Sequence, residues 1–435
     1  MEQIQITGVG SELQGVGRLA DGRAVFVPGA IPGEIVNVEI TKDNGRFCEA
    51  SLVDVLSPSP DRATPACPHY GKCGGCQARH MTYARTLALK RQVVYDALTR
   101  IGGFEAPEVC ETLGSEPADR TRNKAEYPIG ISGGRPVIGA YAGGGREIIP
   151  ITDCLLQSQE SVRALNSVSD WLKTFPMAGH LKYLVTRTSY KGELMVILSG
   201  DAPLQSEIAR HPLAIYQMHS LWYCHLNRRP SHALDGRCFR ITGSEAFTDR
   251  LFDLDFELSP QAFFQVNRLQ AERLYQTALT AVGIRPGCGL NVLDAYCGAG
   301  TITLSAARCA KQVTGIEIVA PAIENARRNA QINGLNNARF ICADAAREIP
   351  KMLSQGSHFD AAILDPPRKG ADTSLLDALF RANIPKICYV SCNPATLARD
   401  LKHLSKTHYH LKIVRPVDMF PWTGHVETVV LMSRE

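Results

Sequence analysis

The sequence has no long hydrophobic run. None of its segments approaches the ~20 consecutive apolar residues that a membrane span requires. The first residues, MEQIQITGVG, contain neither the basic segment nor the apolar segment of a secretory signal. We therefore expect a cytoplasmic protein without a membrane partner.

The chain also lacks a strong charge of one sign. Its formal net charge is +4, and residues 1–60 carry four basic against eight acidic side chains, so the remaining residues carry +8. A nucleic-acid surface would therefore be a local patch rather than a field over the whole molecule. With 45% hydrophobic and 21% charged residues in 435, the composition predicts a soluble globular protein of two or three domains.

Cysteine is plentiful, with fourteen residues. In a chain with cytosolic features, this number argues against a disulfide framework and favours metal, cluster or catalytic use of a few thiols. Most of the others stand alone or in apolar runs, which predicts small buried thiols. These are Cys110, Cys224, Cys238, Cys288, Cys309, Cys342 and Cys388.

The pattern along the chain predicts three regions. Residues 1–56 alternate short apolar stretches with glycine and proline, which indicates a small five-stranded barrel. A linker at 57–65 and a helix near 83–100 follow, and residues 112–260 mix strands and helices without a clear repeat. From about residue 286, regular β-α alternation predicts an α/β fold with a doubly wound parallel sheet.

Acidic residues follow three successive strands of this last region. The segment 291–307 is a strand, a turn with two glycines and a helix, and the next strands end at Glu317, Asp344 and Asp365. Such strand ends face the ligand crevice of open α/β sheets, although each carboxylate could merely cap the next helix. The GxGxxG phosphate fingerprint is absent, which favours S-adenosylmethionine over a dinucleotide because it has no pyrophosphate.

Cys392 follows a fifth strand and precedes Asn393 and Pro394, which are suited to the cap and first residue of a helix. A helix start stabilises a thiolate, so Cys392 is a candidate nucleophile, although a buried strand-end thiol is the alternative. A methyltransferase needs such a nucleophile when its acceptor is an unreactive carbon, such as carbon 5 of uracil. Thiolate addition to carbon 6 makes carbon 5 nucleophilic towards a sulfonium methyl, and a base must later remove the carbon-5 proton. Glu427 is a candidate base, or an ordinary strand-edge charge.

At these residues the chain resembles the RumA/TrmA family of RNA uracil-5-methyltransferases. The resemblance covers nearly the whole chain and rests on SPQAFFQVN (259–267), LDAYCGAGTITL, LDPPRKG (364–370), VSCNPATLARDL (390–401) and HVETVVL (425–431). It implies that Cys392 is the nucleophile and Glu427 the base. It also implies cofactor contacts at Gln265, Tyr296, Glu317, Asp344 and Asp365. Thr301 replaces an Asn that some members carry.

The same resemblance implies a domain organisation. Residues 1–56 would form a TRAM barrel that binds RNA, residues 57–78 and 112–259 a central α+β domain, and residues 79–111 and 260–435 the Rossmann-like methyltransferase domain. Arg122 and Lys124 resemble an Arg-Asn-Lys segment that would contact RNA. Members with both barrel and cysteine cluster mostly methylate bacterial 23S ribosomal RNA, and some methylate the transfer-RNA T loop. We therefore favour 23S RNA and expect a monomer.

Three cysteines lie close together at Cys67, Cys73 and Cys76, with glycines that permit tight wrapping around a metal. Their spacing leaves two alternatives open: a 4Fe–4S cluster with a fourth cysteine, or a Cys3His zinc site completed by His80 or His69. The family resemblance favours the cluster and implies that Cys154 is the fourth ligand. Such a cluster would be structural.

Three other functions compete. RNA cytosine-5-methyltransferases usually carry a cysteine after the proline of the fourth-strand motif, but this motif is DPPR. Adenine amino-methyltransferases place an aromatic residue where Arg368 stands. A non-catalytic RNA-binding factor would not need Cys392 and Glu427. We therefore predict an S-adenosylmethionine-dependent RNA uracil-5-methyltransferase.

Overall fold

Five strands at the start of the chain close into a barrel, as the sequence predicted. The computed structural model describes residues 1–215 and 217–434. The barrel strands are β1 (Glu2–Val9), β2 (Gly15–Arg18), β3 (Ala24–Val27), β4 (Ile35–Asp43) and β5 (Phe47–Ser57), paired in the order β1-β2-β3-β5-β4. Alternate residues such as Ile4 and Ile6 point inward. Gly17 permits closure, because a Cβ there would lie 2.3 Å from Ile4.

A helix connects the barrel to the rest of the molecule. Helix α1 (Tyr83–Ala97) begins at Thr82, whose hydroxyl accepts the N–H of Arg85 at 3.2 Å, and continues into a π-helical turn, Leu98–Gly102. Val94 and Leu98 share a buried cluster with residues of the C-terminal sheet. The helix therefore packs against the C-terminal region, although nearly two hundred residues separate the two in the chain.

The central region is a sheet covered by a helix and followed by a short hairpin. Its elements are β6 (Lys124–Ser132), β7 (Arg135–Tyr141), β8 (Ile148–Pro150), α2 (Gln159–Leu172), β9 (Leu181–Thr188), β10 (Leu194–Gly200), α3 (Gln205–Arg210), β11 (Met218–Leu226), β12 (Gly236–Gly243), β13 (Thr248–Leu251) and β14 (Leu254–Glu257). The sheet order is β12-β11-β10-β9-β6-β7-β8, helix α2 covers it, and β13 pairs with β14 in the hairpin.

The C-terminal region is the predicted α/β sheet. Its elements are α4 (Arg268–Val282), β15 (Asn291–Ala295), α5 (Thr301–Ala307), β16 (Gln312–Glu317), α6 (Ala320–Ile332), β17 (Ala338–Cys342), α7 (Ala345–Ser354), β18 (Ala361–Leu364), α8 (Thr373–Arg381), β19 (Lys386–Ser391), α9 (Pro394–Ser405), β20 (Tyr409–Val417) and β21 (Glu427–Arg434). The strand order is β17-β16-β15-β18-β19-β21-β20.

The first five strands of this sheet run parallel, and β21 inserts antiparallel between β19 and β20. The order reverses between β15 and β18, so their carboxyl ends open the crevice where such sheets bind ligands. Strand β18 is buried throughout and purely apolar, as strands covered on both faces are.

The central and C-terminal regions share one core. Val185 and Ile197 of the central sheet belong to the same buried cluster as Phe264, Val292 and Val390. The boundaries proposed from the sequence stay predictions, because this shared core offers no gap to mark them. No helix of the described residues has the length and hydrophobicity needed to cross a membrane.

Candidate active site

Cys392 lies between the end of β19 and the start of α9. Asn393 caps the helix, since its side-chain oxygen accepts the N–H of Ala395 at 3.0 Å, and Pro394 is the first helical residue. The cap and the proline predicted from the sequence are therefore confirmed. The half-buried thiol stands at the edge where the parallel strands end.

Glu427 begins β21, the strand that pairs with β19, which ends just before this thiol. Strands β19 and β21 are antiparallel with Ser391 opposite Thr428, so one further step of the register brings Cys392 opposite Glu427. The carboxyl group is buried, with 6% of the residue exposed. The two residues proposed as nucleophile and base thus come together through strand pairing.

Burial and the neighbouring charges set the chemistry of Cys392. Burial and the carboxyl of Glu427 raise the pKa of the thiol to about 11, while Arg368 acts in the opposite direction. Burial has the largest effect on this thiol, so its place at the helix start does not give it a low pKa. At neutral pH the thiol is protonated, and a proton acceptor is needed to activate it.

Two carboxyl groups can accept such a proton. Burial, with Asp365 as a second cause, raises the pKa of Glu427 to about 8. Burial raises the pKa of Asp365 to about 7. A carboxyl group with a pKa near neutrality can both take and return a proton under physiological conditions, which ordinary surface carboxylates cannot do efficiently.

Arg368 supplies the opposing charge. Its Nη2 lies 3.1 Å from Nδ1 and 3.2 Å from Nε2 of His425, while Asn393 and Thr396 donate side-chain hydrogen bonds to its carbonyl oxygen. Its guanidinium lowers the pKa of both Cys392 and Glu427 against the effect of burial. In the sequence Arg368 stands out only because it replaces an aromatic residue, and its contact with His425 cannot be read there.

The glycine turn after β15 forms a cradle. Gly298 and Gly300 have positive φ, and a Cβ on Gly298 would meet nothing within 4 Å, so the space above the turn is open. Glu317 at the end of β16 accepts the N–H groups of Gly298 at 3.3 Å and Val319 at 3.0 Å. Tyr296 also has positive φ, at 71°. The turn, the tyrosine and the carboxylate can therefore hold a ribose-bearing ligand.

A buried acidic residue connects the two elements on either side of this turn, β15 and α5. Asp294 accepts a hydrogen bond from Thr303 at 2.5 Å, and burial raises its pKa to about 7. Asp294 was not among the residues predicted from the sequence, although an acidic residue within an otherwise apolar strand was a usable signal. Gln265 lies beside the same region, where its side chain bonds to Tyr275.

Asp344 caps helix α7. Its side chain accepts the N–H of Arg347 at 3.1 Å, which is the alternative role considered for acidic strand ends. It also lies near Tyr296, whose pKa it helps to raise, though burial is the main cause. A cofactor contact at Asp344 stays a prediction.

The four cysteines proposed as metal ligands are half-buried free thiols. Cys154 interacts electrostatically with Cys73 and Cys76, and Arg122 interacts with Cys154 and Cys76. Among the described residues, however, no three His, Cys, Asp or Glu side chains converge as metal ligands do. A guanidinium beside the thiols would stabilise thiolates, which are the donors that an iron-sulfur cluster requires. The 4Fe–4S prediction is nevertheless not confirmed.

The histidines of the zinc alternative have other neighbours. His80 shares a 2.6 Å hydrogen bond with Tyr70, and burial lowers its pKa to about 4, so its ring is neutral. The charged groups near it are Arg62 and Glu34 rather than the cysteines. His69 lies near Asp153, next to Cys154.

The residues proposed to contact RNA have partners within the protein. Arg122 is half-buried between His425 and the loop of residues 67–76, here called the cysteine loop, and burial lowers its pKa. Lys124 begins β6 and forms an ion pair with Glu126 at 2.7 Å. Neither is a fully exposed cation, and their contact with RNA stays a prediction.

A cavity of about 1130 Å³ lies between the barrel, the cysteine loop and the central sheet. Four aromatic side chains line it: Phe26, Tyr70, Tyr141 and Tyr183. Its charged lining residues are the acids Glu12, Glu49 and Glu126. The cavity can therefore offer stacking surfaces to bases but repels phosphates.

Comparisons with known proteins identify the family. A model described as tRNA (Uracil-5-)-methyltransferase matches residues 246–435, and a TRAM domain model matches residues 2–53. An uncharacterized RNA methyltransferase of Clostridium tetani is 38% identical over 443 residues, covering 99% of this chain and 95% of that protein. The chain belongs to the tRNA (uracil-5-)-methyltransferase family.

Other relatives agree with this assignment. An uncharacterized RNA methyltransferase of Caldanaerobacter subterraneus is 38% identical over 446 residues, covering 99% of this chain and 98% of that protein. The crystal structure of Pyrococcus abyssi tRNA (uracil-54, C5)-methyltransferase with S-adenosyl-L-homocysteine matches with a TM-score of 0.78 and 27% identity, covering 99% of this chain and all of that one. The protein is therefore an S-adenosylmethionine-dependent methyltransferase with an N-terminal TRAM barrel, as the sequence predicted.

Proposed function

We propose that this enzyme methylates carbon 5 of a uridine in RNA through a covalent bond between Cys392 and carbon 6. One observation carries the proposal: Cys392 and Glu427 directly adjoin the last pair of the β19–β21 ladder, Ser391 and Thr428, and the Glu427 carboxyl acts on the pKa of the Cys392 thiol. A methyltransferase acting on a nitrogen or oxygen nucleophile has no need for this pair.

The first step activates the ring. Cys392 gives its proton to the carboxylate of Asp365, whose pKa of about 7 leaves it partly ionised at neutral pH, so Glu427 keeps its own carboxylate for the later step. The thiolate sulfur then bonds to carbon 6, and the electrons of the C5–C6 double bond move into an enolate with nucleophilic character at carbon 5. Bound S-adenosylmethionine supplies the electrophilic methyl group.

The second step releases the product. The carboxylate of Glu427 takes the proton from carbon 5, the C5–C6 double bond forms again, and the Cys392–C6 bond breaks as the thiolate leaves. The thiolate then takes its proton back from Asp365, and Glu427 releases the carbon-5 proton to water. A carboxylate in an apolar setting is a stronger base than one in water, which suits the removal of a carbon-bound proton.

Arg368 stabilises negative charge during these steps. Its guanidinium opposes the effect of burial on both Cys392 and Glu427, and it is the cation next to the developing thiolate. Fixed charges of this kind lower the barrier because they are oriented before the reaction begins.

Methyl transfer to RNA tests the proposal. Wild-type protein, Cys392→Ala and Glu427→Gln are incubated with labelled S-adenosylmethionine and bulk RNA, and nucleosides are separated after digestion. We expect 5-methyluridine from wild type only, with unchanged binding of S-adenosylmethionine in both variants. Full activity of Cys392→Ala would refute the adduct mechanism, and failure of wild type to bind the cofactor would favour a non-catalytic RNA-binding factor.

We propose 23S ribosomal RNA as the substrate and a monomer in the cytoplasm as the active form. The barrel together with the cysteine loop supports the ribosomal substrate, since the family resemblance implies that members with both act mostly on that RNA. The similar Pyrococcus abyssi enzyme acts on uracil-54 of tRNA, which makes tRNA the second candidate. Mass mapping of 5-methyluridine in cells lacking the protein distinguishes the two, because loss at a tRNA site alone would overturn the ribosomal assignment.

We propose that Cys67, Cys73, Cys76 and Cys154 hold a 4Fe–4S cluster that stabilises the central domain. The thiol donors and the adjacent Arg122 support it. Anaerobically purified protein should show visible absorbance, with iron and sulfide bound in equal amounts, and both should be lost in Cys154→Ser. A colourless protein containing zinc would refute the cluster and favour a site completed by a histidine.

A further inference from the structure

Gln77, which follows the last cysteine of the cysteine loop, bonds in two directions. Towards the loop, its Nε2 donates to the carbonyl of Gly74 at 2.9 Å, and its own carbonyl accepts the hydroxyl of Tyr70 at 3.0 Å. Away from the loop, its backbone N–H donates to the carbonyl of Trp422 at 2.9 Å, and its Oε1 accepts the N–H of Gly424 at 3.3 Å.

The segment that Gln77 holds leads into the active site. It connects β20 to β21 and contains Gly424, then His425, whose ring contacts Arg368, and ends at Glu427. Gly424 is also tightly enclosed on the barrel side, because a Cβ there would lie 2.8 Å from the backbone of Glu12. The position of this segment therefore depends on contacts from outside the catalytic sheet.

We propose that Gln77 is a positioning residue that connects the cysteine loop to the catalytic groups by fixing residues 422–425. It holds His425 against Arg368, and so keeps the guanidinium beside Cys392 and Glu427. The inference rests on the proposed function, in which these groups are catalytic, but it concerns how their charges are held in place.

The physical consequence is a change in the reactivity of the thiol. The charged groups that face Cys392 are Glu427 on β21, Asp365 at the end of β18 and Arg368 in the loop that follows. Arg368 is the cation of this set, so any loosening of its contact with His425 leaves two acids to disfavour the thiolate. Loss of the Gln77 contacts should therefore raise the pKa of Cys392.

Gln77→Met tests this without removing the backbone bonds. It keeps the length of the side chain and deletes both polar arms. The matched control is Gln92→Met on the exposed face of α1, whose side chain bonds only locally to Asp96. The rate of iodoacetamide alkylation at Cys392 is followed by peptide mass across pH, in full-length protein without RNA.

In Gln77→Met we expect the midpoint of the alkylation curve to move about 0.5 pH higher, and the rate at neutral pH to fall roughly threefold. Methylation kcat should fall while binding of S-adenosylmethionine is unchanged. Thr423→Val acts on the same segment from the other side, since it removes the hydroxyl that accepts the N–H of His425, and it should move the curve in the same direction.

Two results would overturn the inference. One is an alkylation curve of Gln77→Met equal to that of wild type and Gln92→Met. The other is a parallel loss of thermal stability and cofactor affinity, which would make Gln77 merely structural. Because alkylation requires no RNA, a wild type that makes no 5-methyluridine would refute the proposed function without deciding this point.

Discussion

Cys392 combines burial, which opposes ionisation, with a reaction that requires ionisation. The buried setting raises the pKa of the thiol to about 11, so the resting enzyme carries an unreactive thiol that is protected from unwanted alkylation or oxidation. Glu427 and Asp365 provide proton acceptors, and Arg368 stabilises the anion when substrate arrives. Reactivity thus depends on four side chains rather than on the cysteine alone.

The pH dependence of the reaction follows from these raised pKa values. A base with a raised pKa is protonated and inactive below that pKa, so kcat/KM should rise as the pH increases through about 8, where Glu427 ionises. Arg368→Gln removes a cation that lowers the pKa of both Glu427 and Cys392, so the rise should move to higher pH. A midpoint that lies one pH higher would make the rate at pH 7 about tenfold lower.

Steady-state kinetics from pH 6 to pH 10 would measure this effect. Arg100→Gln, a change at an exposed residue of the π-helical turn, serves as the control and should retain the wild-type profile. An Arg368→Gln profile with an unchanged midpoint would show that the guanidinium does not act on these groups.

Some site residues could be predicted from sequence and others could not. Cys392 and Glu427 were recognisable because each has a local motif and a chemical reason to be there. Arg368 and His425 were not, because their significance comes from a contact between segments 57 residues apart. The raised pKa of Cys392 could not be predicted, since a local helix start is visible in sequence but burial by distant strands is not.

At the scale of elements, the start of α9 both stabilises the helix and shapes the site. The side-chain oxygen of Asn393 caps the helix, and its Nδ2 donates to the carbonyl of Arg368 at 3.2 Å. Asn393→Ala should therefore cost about 1 kcal/mol of unfolding free energy, as lost caps typically do. It should also lower methylation kcat, because the Arg368 loop loses an anchor.

Ser158→Ala is the matched control for this variant. Ser158 caps α2 in the central domain, where its hydroxyl accepts the N–H of Ser161 at 3.2 Å. Denaturant unfolding should give similar losses of stability for the two variants, with activity reduced only in Asn393→Ala. Equal activities would mean that the cap has no role in the site.

Regular elements were predictable where one physical pattern dominated. The barrel strands alternate in burial, which gives a period of two, and the short apolar strands of the parallel sheet alternate regularly with helices, so both regions could be predicted. The central sheet could not be predicted in this way. Its strands β9 and β10 are buried almost throughout, and β6 pairs with β9 although helix α2 lies between them in the chain. Burial from both sides removes the alternation that marks a strand.

At the scale of the molecule, a buried ion pair joins helix α1 to the segment that follows β20. Lys90 of α1 donates to Asp418 at 2.5 Å and to the carbonyl of Phe420 at 3.0 Å, and both charged side chains are fully buried. Tyr83 donates to the same carboxylate at 2.7 Å. The pair therefore fixes the segment that leads towards His425 and Glu427.

Breaking this pair should be costly. Lys90→Met leaves the Asp418 charge buried without its cation, which should reduce the unfolding free energy by about 3–5 kcal/mol. The double variant Lys90→Met, Asp418→Leu should recover much of that loss, since two apolar groups replace two charges. Lys173→Met, which removes an exposed pair with Asp170, should change stability by less than about 1 kcal/mol.

Thermal and denaturant unfolding of the four proteins would measure these differences. A Lys90→Met variant as stable as Lys173→Met would mean that water reaches the pair. Its methylation activity is informative as well, because the same segment carries the active-site residues.

The central claim is the covalent bond between Cys392 and carbon 6 of uridine. RNA containing 5-fluorouridine tests it directly, because fluorine replaces the proton that Glu427 must remove, so the methylated adduct cannot break down. Digestion and mass spectrometry should find a methylated fluorouridine attached to the peptide that contains Cys392, and none with Cys392→Ala. A wild-type enzyme that methylates unmodified RNA but yields no such adduct, or yields it on another residue, would contradict the account.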